Sequence, residues 1–318
     1  PSSLSNDYVM AIHEDSKGVL WIGTYGGLNR LNPTTMTFSH FTRQKHQSSG
    51  LSNDRVTAIS EDHSGNLWIG TDGGGLNRFN PNTGDFSHWR HHPSNSSGLS
   101  SDVVNVIYQG QNNKLWIGTS EGLNRFDLAT GQFDHVDWLA AVPGKQSQHY
   151  ILSIHQDSQG ILWFGTSGEG LYKLDPSSGE IALYQEKEGL ANNVVYAIVE
   201  GQSSHLWLST SKGLSRFGLI SKNFTNYTPD DGLQGEQFNQ GASFKSADGE
   251  LFFGGNNGFN RFYPAQIKPD VQILPVVITK LWLGDRQVSI EHSGGSQGKG
   301  FHLTKAVNEL SVLTLGHL

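Results

Sequence analysis

The sequence of 318 residues contains no cysteine, few charged side chains and no long apolar run. Without cysteine, disulfides and thiol chemistry are excluded. Charged residues make up only 16% of the chain and leave a net charge of −7. This balance argues against a general nucleic-acid binder and against adsorption to anionic membranes, since both need a basic surface. No apolar stretch approaches the ~20 residues that a membrane-spanning helix requires.

Glycine and tryptophan are the residues that the sequence has in abundance. It contains 39 glycines, 8 tryptophans and 35% hydrophobic residues. This composition is too apolar and too aromatic for a disordered chain, and glycine interrupts the sequence too often for a helical protein. The composition therefore predicts a folded protein that is mainly non-helical.

One segment recurs six times along the chain, and its second occurrence reads NLWIGTDGGGLNRFNP, residues 66–81. The aromatic residues that mark the six copies are 44 to 48 residues apart and are Trp21, Trp68, Trp116, Trp163, Trp207 and Phe252. Such a period, with several short strand-like runs in each unit, is typical of a propeller blade. A helical repeat of this length would show a 3.6-residue periodicity instead.

The second repeat shows how one unit is expected to fold. Four strand-like runs, RVTAISED, LWIGT, LNRFNP and DFSHW, start at Arg55, Leu67, Leu76 and Asp85. The segments HSGN, DGGG and NTG between them consist of residues that favour turns. We therefore predict an all-β protein, a β-propeller of four-stranded antiparallel blades, in which residues 1–264 carry six repeats.

The repeat also predicts how neighbouring blades pack. In the second strand, Leu67 and Ile69 share one face, and Trp68 and Gly70 share the other. Since blades stack face to face, both faces are buried, and we expect the glycine to leave a recess for an aromatic ring of the next blade. The repeated aromatic residues are therefore predicted to pack between blades and not to contact a ligand. An LSND-like segment before most inner strands is predicted to form a turn in which Asn or Asp bonds the backbone.

The repeat stops after Pro264. The segments PVVITKLWLGDRQV and FHLTKAVNELSVLTLGHL alternate without the signature of a blade. We predict that residues 265–318 form the truncated N-terminal part of an Ig-like β-sandwich. Because the chain begins without methionine and ends inside an apolar alternation, we expect it to be a piece of a longer protein.

Repeats such as AISEDHSGNLWIGTDGGGLNRFNP resemble the two-component regulator propeller repeat. The segment FNQGASFKSADGELFFGGNNGFNRFYP, followed by ILPVVITKLWLGDRQV, resembles the last blade of that family and the start of its triple-tyrosine-type sandwich domain. The resemblance covers essentially the whole chain. Propellers of this family commonly have seven blades, so either the first blade lies upstream of Pro1 or the six close alone.

The resemblance implies a function. Propellers of this family form the periplasmic sensor of bacterial membrane receptors, whose output is a histidine kinase, a hybrid two-component system or a diguanylate cyclase. They are associated with sensing oligosaccharides. We therefore expect a non-enzymatic, periplasmic module that binds a small molecule or an oligosaccharide and self-associates with a second copy of the same receptor chain as a dimer. Nucleic acid, a cofactor and direct membrane contact are not expected.

No motif for catalysis or metal binding stands out. The sequence has 14 histidines but no HExxH motif, and the adjacent His91 and His92 have no partner at helical spacing. The EDHSGN and DSKG segments lack the alternating oxygen ligands of a calcium loop and are predicted to be hairpin turns. Neither a Gly-x-Ser-x-Gly elbow nor a phosphate-binding loop is present. We therefore predict no catalytic residue and no bound metal.

The loops expected on one face of the propeller carry the candidate ligand contacts. This face combines the loop between the second and third strands with the loop that leads to the next blade, and the repeats differ most there. Aromatic, amide, carboxylate and cationic side chains suit a sugar, whose apolar face stacks and whose hydroxyls need donors and acceptors. The predicted ligand-binding residues are Tyr25, Arg43, Asp72, Arg90, His91, His92, Trp138, His149, Tyr150, Glu169, Asn193, Phe238 and Asn239.

Two other classes of function stay open. One is a propeller glycosidase or lyase. The other is a non-catalytic scaffold that mediates protein interaction or dimerisation of the same receptor and binds no small molecule. Sequence beyond Leu318 would separate these classes, since a spanning helix followed by a kinase or cyclase domain would favour the sensor.

Overall fold

The strands of the computed structural model group into blades in the order that the repeat predicts. The structure describes residues 1–44, 49–94, 98–135, 150–201 and 204–267, together with the backbone of 281–283 and 286–288. Residues 1–267 form one compact unit, and residues 268–318 form a second. Besides strands, the described part of the first unit contains short 3-10 turns at Glu186–Glu188, Pro229–Asp231 and Pro264–Gln266. None of the helices in the described residues has the length and apolarity needed to cross a membrane.

Five blades each contain four antiparallel strands in sequential order, starting from the inner strand. Blade 1 consists of β1 Val9–Glu14, β2 Leu20–Thr24, β3 Gly27–Asn32 and β4 Thr37–Phe41. Blade 2 consists of β5 Val56–Glu61, β6 Leu67–Thr71, β7 Gly75–Phe79 and β8 Phe86–Trp89. Blade 3 consists of β9 Val104–Gln109, β10 Lys114–Thr119, β11 Gly122–Asp127 and β12 Gln132–His135. Blade 4 consists of β13 Ile151–Gln156, β14 Leu162–Thr166, β15 Leu171–Leu174 and β16 Ile181–Tyr184. Blade 5 consists of β17 Val195–Glu200, β18 His205–Thr210, β19 Gly213–Gly218 and β20 Phe224–Tyr227.

The sixth blade has three strands within the described residues, where four were predicted. They are β21 Phe238–Lys245, β22 Leu251–Gly255 and β23 Gly258–Phe262. The predicted all-β, six-bladed propeller is otherwise confirmed. In the second unit, β24 Leu281–Leu283 pairs antiparallel with β25 Arg286–Val288. The rest of the predicted sandwich lies outside the described residues.

The tryptophans of the repeat pack between blades, as the sequence predicts. The exposed fraction is at most 3% for each of the residues Trp21, Trp68, Trp116, Trp163 and Trp207. Trp21 of blade 1 packs against Val56, Leu67 and Phe79 of blade 2. Its ring centroid lies 5.6 Å from that of Phe79 in an edge-to-face arrangement. The aromatic residue of one blade is therefore part of the core that it shares with the next.

The glycine two residues after the tryptophan has a different neighbour from the predicted one. A Cβ at Gly70 would lie 2.7 Å from Cγ1 of Val104, and a Cβ at Gly23 would lie 2.5 Å from Cγ1 of Val56. Both valines begin the inner strand of the next blade. The prediction of an aromatic ring in this recess was wrong, because the inner strand of the next blade contacts the second strand here and leaves room only for a short branched side chain.

A buried hydrogen bond from the indole N–H to an aspartate six residues earlier was not predicted. Its Nε1–Oδ2 distance is 2.8 Å in three blades, in the pairs Trp21–Asp15, Trp68–Asp62 and Trp163–Asp157. In blade 2 the other carboxylate oxygen accepts the backbone N–H groups of Ser64 and Asn66 in the hairpin turn. Although burial raises the pKa of Asp62, these hydrogen bonds have the larger combined effect and lower the pKa below its ordinary value. The aspartate turns are therefore structural.

The segment before the inner strand is tied to the third strand of the same blade. The backbone N–H of Ser52 donates to Oδ1 of the fully buried Asn77 at 2.9 Å, and blades 1 and 3 repeat this bond. Within the segment, Oδ1 of Asn53 accepts the backbone N–H of Arg55 at 2.9 Å. The predicted turn is thus confirmed, and it holds the start of the inner strand in a fixed position.

Two apolar faces of the propeller remain exposed, one on blade 6 and one on blade 1. Phe259 of β23 is 64% exposed, whereas the leucine at the same position of each other blade is at most 2% exposed. These leucines are Leu28, Leu76, Leu123, Leu171 and Leu214. Ile12 of β1 is 66% exposed, whereas the equivalent Ile107, Ile154 and Ile198 are at most 8% exposed. Within the described residues, the face of blade 6 that carries Phe259 and the face of blade 1 that carries Ile12 therefore do not bury each other.

This exposure makes a testable difference between equivalent isoleucines. We expect Ile12→Ser to change the free energy of unfolding by less than ~0.5 kcal/mol, because the side chain is already in water. The matched change Ile107→Ser is expected to cost ~2–4 kcal/mol, because it leaves a cavity and buries a hydroxyl. Urea denaturation of both variants measures the difference. An equal loss in the two variants would show that another blade or chain covers blade 1 in solution.

The tryptophan core leads to a second prediction. Trp68→Ala should lower the free energy of unfolding by ~3–5 kcal/mol through the cavity that it leaves. Trp68→Phe keeps most of the ring but removes the hydrogen bond to Asp62, for which we expect a loss of ~1–3 kcal/mol. Trp116→Phe is the matched control, because Gly110 stands where blade 2 has Asp62. If thermal and urea denaturation found Trp116→Phe as costly as Trp68→Phe, the hydrogen bond would not matter.

Candidate functional site

A cavity of about 290 Å³ lies at one end of the channel between the inner strands. Its walls are formed by β1, β5, β9 and β13 near their first residues and by the start of β21. From the surrounding loops and strand ends, Tyr25, Asp72 and Tyr150 line the same cavity. Three of the predicted ligand-binding residues, which come from blades 1, 2 and 4, are therefore brought together.

Two positions of the repeat form the rim of this cavity. The first is the residue immediately before the inner strand, and the second is the residue immediately after the second strand. The backbone joins them within one blade, since the N–H of Asp72 donates to the carbonyl of Arg55 at 2.9 Å and the N–H of Tyr25 donates to that of Tyr8 at 3.1 Å. These two positions are small in blades 3 and 5, where they are Val103 with Ser120 and Val194 with Ser211. The large polar and aromatic side chains are thus confined to part of the rim.

Blades 1 and 2 contribute a contiguous cluster of four side chains. Nη1 of Arg55 lies 3.0 Å from Oδ2 of Asp72. The guanidinium carbon of Arg55 lies 5.1 Å from the ring centroid of Tyr25, over the ring. Tyr8 stacks on Tyr25 with centroids 5.7 Å apart and an interplanar angle of 23°. Because the ion pair is half-exposed, its hydrogen-bonding groups are accessible to a ligand. An exposed pair of this kind contributes little to the stability of the fold.

Tyr150 belongs to the same electrostatic environment. Burial raises the pKa of its phenol, and the negative charge of Asp72 raises it further. At neutral pH the phenol is therefore protonated and can donate a hydrogen bond into the cavity. The rim thus offers a phenol, a guanidinium and a carboxylate, with aromatic faces beside them, and this combination binds hydroxyl-rich or amide-rich molecules well.

An irregular segment of blade 6 completes the cavity. In β21 the pairing passes from Phe238 opposite Gly255 to Ser243 opposite Phe253, so extra residues bulge out of the ladder. Gly241 adopts a φ of 70°, and Gln240 and Gly241 line the cavity. Bulges of this kind commonly redirect side chains at functional sites.

The predicted loop position of Phe238 and Asn239 was wrong, because both lie in β21. Phe238 is only 3% exposed and packs in the core of blades 5 and 6 with Phe253. Its side chain therefore does not line the cavity. The residues of β21 that do so are Gln240 and Gly241, at the bulge.

Arg90, His91 and His92 make contacts within the loop between blades 2 and 3. Arg90 donates through Nη2 to Asp102 at 2.8 Å and to the carbonyl of Gly73 at 2.9 Å. The backbone N–H of His91 also donates to Asp102, and Nδ1 of His92 accepts the backbone N–H of Ser94. These interactions hold the loop in place, and none of the three histidine and arginine side chains lines the cavity.

Three further predicted residues lie away from the cavity. Glu169 is 7% exposed, and its Oε2 accepts the hydroxyl of Tyr172 at 3.1 Å. Asn193 accepts the backbone N–H of Glu186 at 2.9 Å and stabilises its own loop. Arg43 is exposed. The remaining two predicted residues, Trp138 and His149, lie outside the described residues, so their role stays a prediction.

The sequence analysis missed Tyr8, Arg55 and Gln240. A signal for the first two was present, since each directly follows an LSND segment and directly precedes an inner strand. Aligning that position across the repeats would have shown tyrosine or arginine in some blades and valine in others. Nothing comparable announces Gln240, because its place at the cavity depends on the bulge in β21.

At the opposite end of the blades, two clusters contain a serine, a histidine and a glutamate. In one, Oγ of Ser158 donates to Oε1 of Glu200 at 2.9 Å, and Nε2 of His155 lies 3.4 Å from Oε2 of Glu200. Residues 13, 16 and 61 repeat the arrangement between blades 1 and 2. In both clusters the serine contacts the glutamate instead of the histidine, so the histidine does not activate the hydroxyl as a nucleophile. These clusters join consecutive blades.

No group of three or more potential metal ligands of the His, Asp and Glu types occurs among the residues that the structure describes. The rim of the cavity presents hydrogen-bonding groups, aromatic faces and the Arg55–Asp72 ion pair.

Comparisons with known proteins agree with the repeat and the fold. The family described as two-component regulator propeller matches residues 3–26, 50–73, 98–121 and 145–168. Histidine kinase P4 from Formosa agariphila is 31% identical over 126 residues, which are 39% of this chain and 9% of that protein. The extracellular domain of the hybrid two-component system BT3049 from B. thetaiotaomicron is 26% identical, with a TM-score of 0.52 over 95% of this chain and 44% of that one. This chain therefore spans less than half the length of either relative.

A third comparison concerns the fold alone. Virginiamycin B lyase from Staphylococcus aureus is 17% identical, with a TM-score of 0.58 over 82% of this chain and 85% of that one.

The geometry defines a repeat-built β-propeller whose variable side chains gather at one end of its channel. Each match to the family contains the segment before an inner strand and the first two strands of one of blades 1 to 4. The repeats of blades 1 to 4 therefore belong to the two-component regulator propeller family.

The clusters that join the blades predict a loss of stability in mild acid. Burial lowers the pKa of His155 below its ordinary value of 6.5, and the nearby charges of Glu200 and Asp157 only partly oppose this effect. Between the folded and unfolded pKa values the unfolded chain binds a proton that the folded protein does not. The stability that neutral His155 contributes is therefore fully present above pH 6.5 and is lost as the pH falls towards the folded pKa.

Urea denaturation at about pH 7.5 and about pH 5.5 tests this expectation. His155→Gln keeps a polar side chain that does not titrate, and it should reduce the pH dependence of the free energy of unfolding. His88→Gln is the control, because His88 lies on an outer strand and bonds only the carbonyl of Gly50. The same dependence in wild type and His155→Gln would contradict the prediction.

Proposed function

We propose that this chain is the ligand-sensing module of the extracytoplasmic part of a bacterial membrane receptor. Its similarity to the extracellular domain of a hybrid two-component system and to a histidine kinase supports this role. Membership of the two-component regulator propeller family supports it as well.

The ligand that we propose is a neutral or weakly charged oligosaccharide, bound at the channel rim. The carrying observation is the cluster of Tyr8, Tyr25, Arg55 and Asp72, with Tyr150 across the cavity. Tyrosine rings stack on the apolar face of a sugar, while the ion pair and the phenol bond its hydroxyls. The net charge of −7 disfavours a strongly anionic chain.

Binding without turnover fits this rim better than catalysis does. Arg55 and Asp72 are paired with each other, and among the residues that line the cavity there is no serine, cysteine or histidine to act as a nucleophile or base. The likeness to virginiamycin B lyase lies in the fold alone and carries no argument for lyase activity. A receptor needs reversible occupancy, which such a site provides.

A glycan array followed by calorimetry with the best neutral oligosaccharide tests the proposal. Arg55→Ala and Tyr150→Phe should each weaken binding about tenfold or more without lowering the melting temperature, because each removes a hydrogen bond to the ligand. Arg43→Ala is the matched control, since Arg43 is an exposed arginine that neither lines the cavity nor contacts Tyr25 or Asp72 as Arg55 does. A similar loss for Arg43→Ala would place the ligand elsewhere.

Two outcomes would favour the other classes of function. If no glycan bound and the purified module formed a dimer, a scaffold that mediates receptor dimerisation would replace the sensor. If the purified module cleaved a bound glycan, as detected by chromatography of the products, the enzyme would replace it.

A further inference from the structure

The repeat provides an internal standard for the hydrogen bonding of its tryptophans. In blade 2, Asp62 accepts the indole N–H of Trp68 at 2.8 Å, and Arg78 lies in the same groove. This groove between blades 2 and 3 encloses about 220 Å³. The carboxylate, the indole and the guanidinium are all supplied by the chain, so the arrangement is complete.

Blade 3 keeps the indole and the guanidinium but lacks the carboxylate. Gly110 stands at the position of Asp62, and its backbone N–H makes the same turn bond, to Lys114, that Asp62 makes to Asn66. Trp116 is only 3% exposed, yet its indole N–H donates to none of the described residues. Unlike Nε1 of Trp207, Nε1 of Trp116 is not fully buried, so water or a ligand in the adjoining groove can accept its N–H.

An open groove of about 430 Å³ lies at this point between blades 3 and 4. Trp116, Lys114 and Arg125 line it from blade 3, and Gln156 and Asp175 line it from blade 4. Its volume is within the range of ~300–1,000 Å³ that is usual for small-molecule sites. It lies at the hairpin end of β9 and β10, opposite the end that carries the channel rim.

Blade 5 also has a glycine at this position but no such opening. Gly201 replaces the aspartate, and Nε1 of Trp207 is buried without a partner among the described residues. A Cβ at Gly201 would lie 3.5 Å from Cγ of Pro264, so the proline covers this groove. Blade 3 therefore differs from both kinds of blade, because its indole is unpaired and faces a cavity.

The free hydrogen-bonding groups of the groove are mainly donors. Arg125 uses Nε and Nη2 on a single oxygen of Asp134, which leaves Nη1 uncommitted. Lys114 contacts Asp127 and keeps further N–H groups. Oδ1 of Asp175 accepts three hydrogen bonds from Ser177 and Ser178 in its own turn, which leaves Oδ2 as the acidic oxygen of the groove.

We propose that the groove between blades 3 and 4 binds the carboxylate of a small organic acid, such as a uronic acid. The ligand's carboxylate takes the place of the aspartate that blade 3 lacks, with one oxygen accepting the Trp116 indole N–H and the other facing Arg125 and Lys114. The site is separate from the channel rim, so its test does not depend on the proposed function.

Sodium glucuronate and methyl glucoside are matched probes with and without a carboxylate. In ¹H–¹⁵N spectra, the indole signal of Trp116, assigned by its loss in Trp116→Phe, should shift saturably with glucuronate. The signal of Trp68 should not move, because Asp62 already occupies its N–H. Sodium chloride at matched ionic strength should have no effect on either signal.

Calorimetry with glucuronate tests the named groups. Trp116→Phe and Arg125→Gln should each weaken binding about tenfold or more, whereas Arg78→Gln in the neighbouring groove should not. Gly110→Asp supplies the missing carboxylate from the chain and should abolish binding; should this variant fail to fold, the other two still decide.

Three results would overturn the proposal. They are an unmoved Trp116 signal, an equal shift with chloride, or an equal shift with methyl glucoside, which would indicate a site for neutral sugars instead.

Discussion

The close contact between the second strand of one blade and the inner strand of the next is the constraint on which the propeller depends. A glycine in the second strand lets the β-branched residue of the next blade approach, as Val104 approaches Gly70. Two residues earlier, the tryptophan fills the space farther along the same face. Because this contact needs both a small and a large side chain on one strand, the repeat varies little there, and only Ser209 in blade 5 and Phe252 in blade 6 replace the glycine and the tryptophan. Function has to use other positions.

The positions left free are the ends of the blades. At the channel rim, the residues before the inner strand and after the second strand are held by backbone hydrogen bonds and by the buried Ser–Asn bond below them. Their side chains can therefore change without loss of the fold. Blades 1, 2 and 4 place tyrosine, arginine and aspartate there, while blades 3 and 5 place valine and serine. An asymmetric site is thus built on a nearly symmetric scaffold.

Much of the fold followed from the sequence, because strong local signals repeat in it. Three features were enough to predict the blades and the buried tryptophans. They are the regular spacing of the aromatic residues, the turn residues, and the position of Trp68 and Gly70 on one face of their strand. The site was less predictable. Tyr25, Asp72 and Tyr150 were chosen because they differ between repeats, and they line the cavity, but Arg90 is bound by Asp102, and Phe238 is buried within β21. These outcomes depend on contacts between blades, which no single repeat encodes.

Departures from the repeat are therefore more informative than the repeat itself. The bulge in β21 turns Gln240 towards the channel, and the glycine at position 110 leaves the indole of Trp116 without the acceptor that Asp15, Asp62 and Asp157 provide in other blades. A substitution that merely relaxed the structure would be expected to let the groove close, as Pro264 closes it in blade 5. In blade 3 the groove stays open and is lined by Lys114 and Arg125, each paired with an aspartate of the same blade, and by Asp175 of blade 4. Because no aspartate accepts the indole N–H of Trp116 there, the groove keeps a free donor, which is the reason for proposing an acceptor ligand at this point of the molecule.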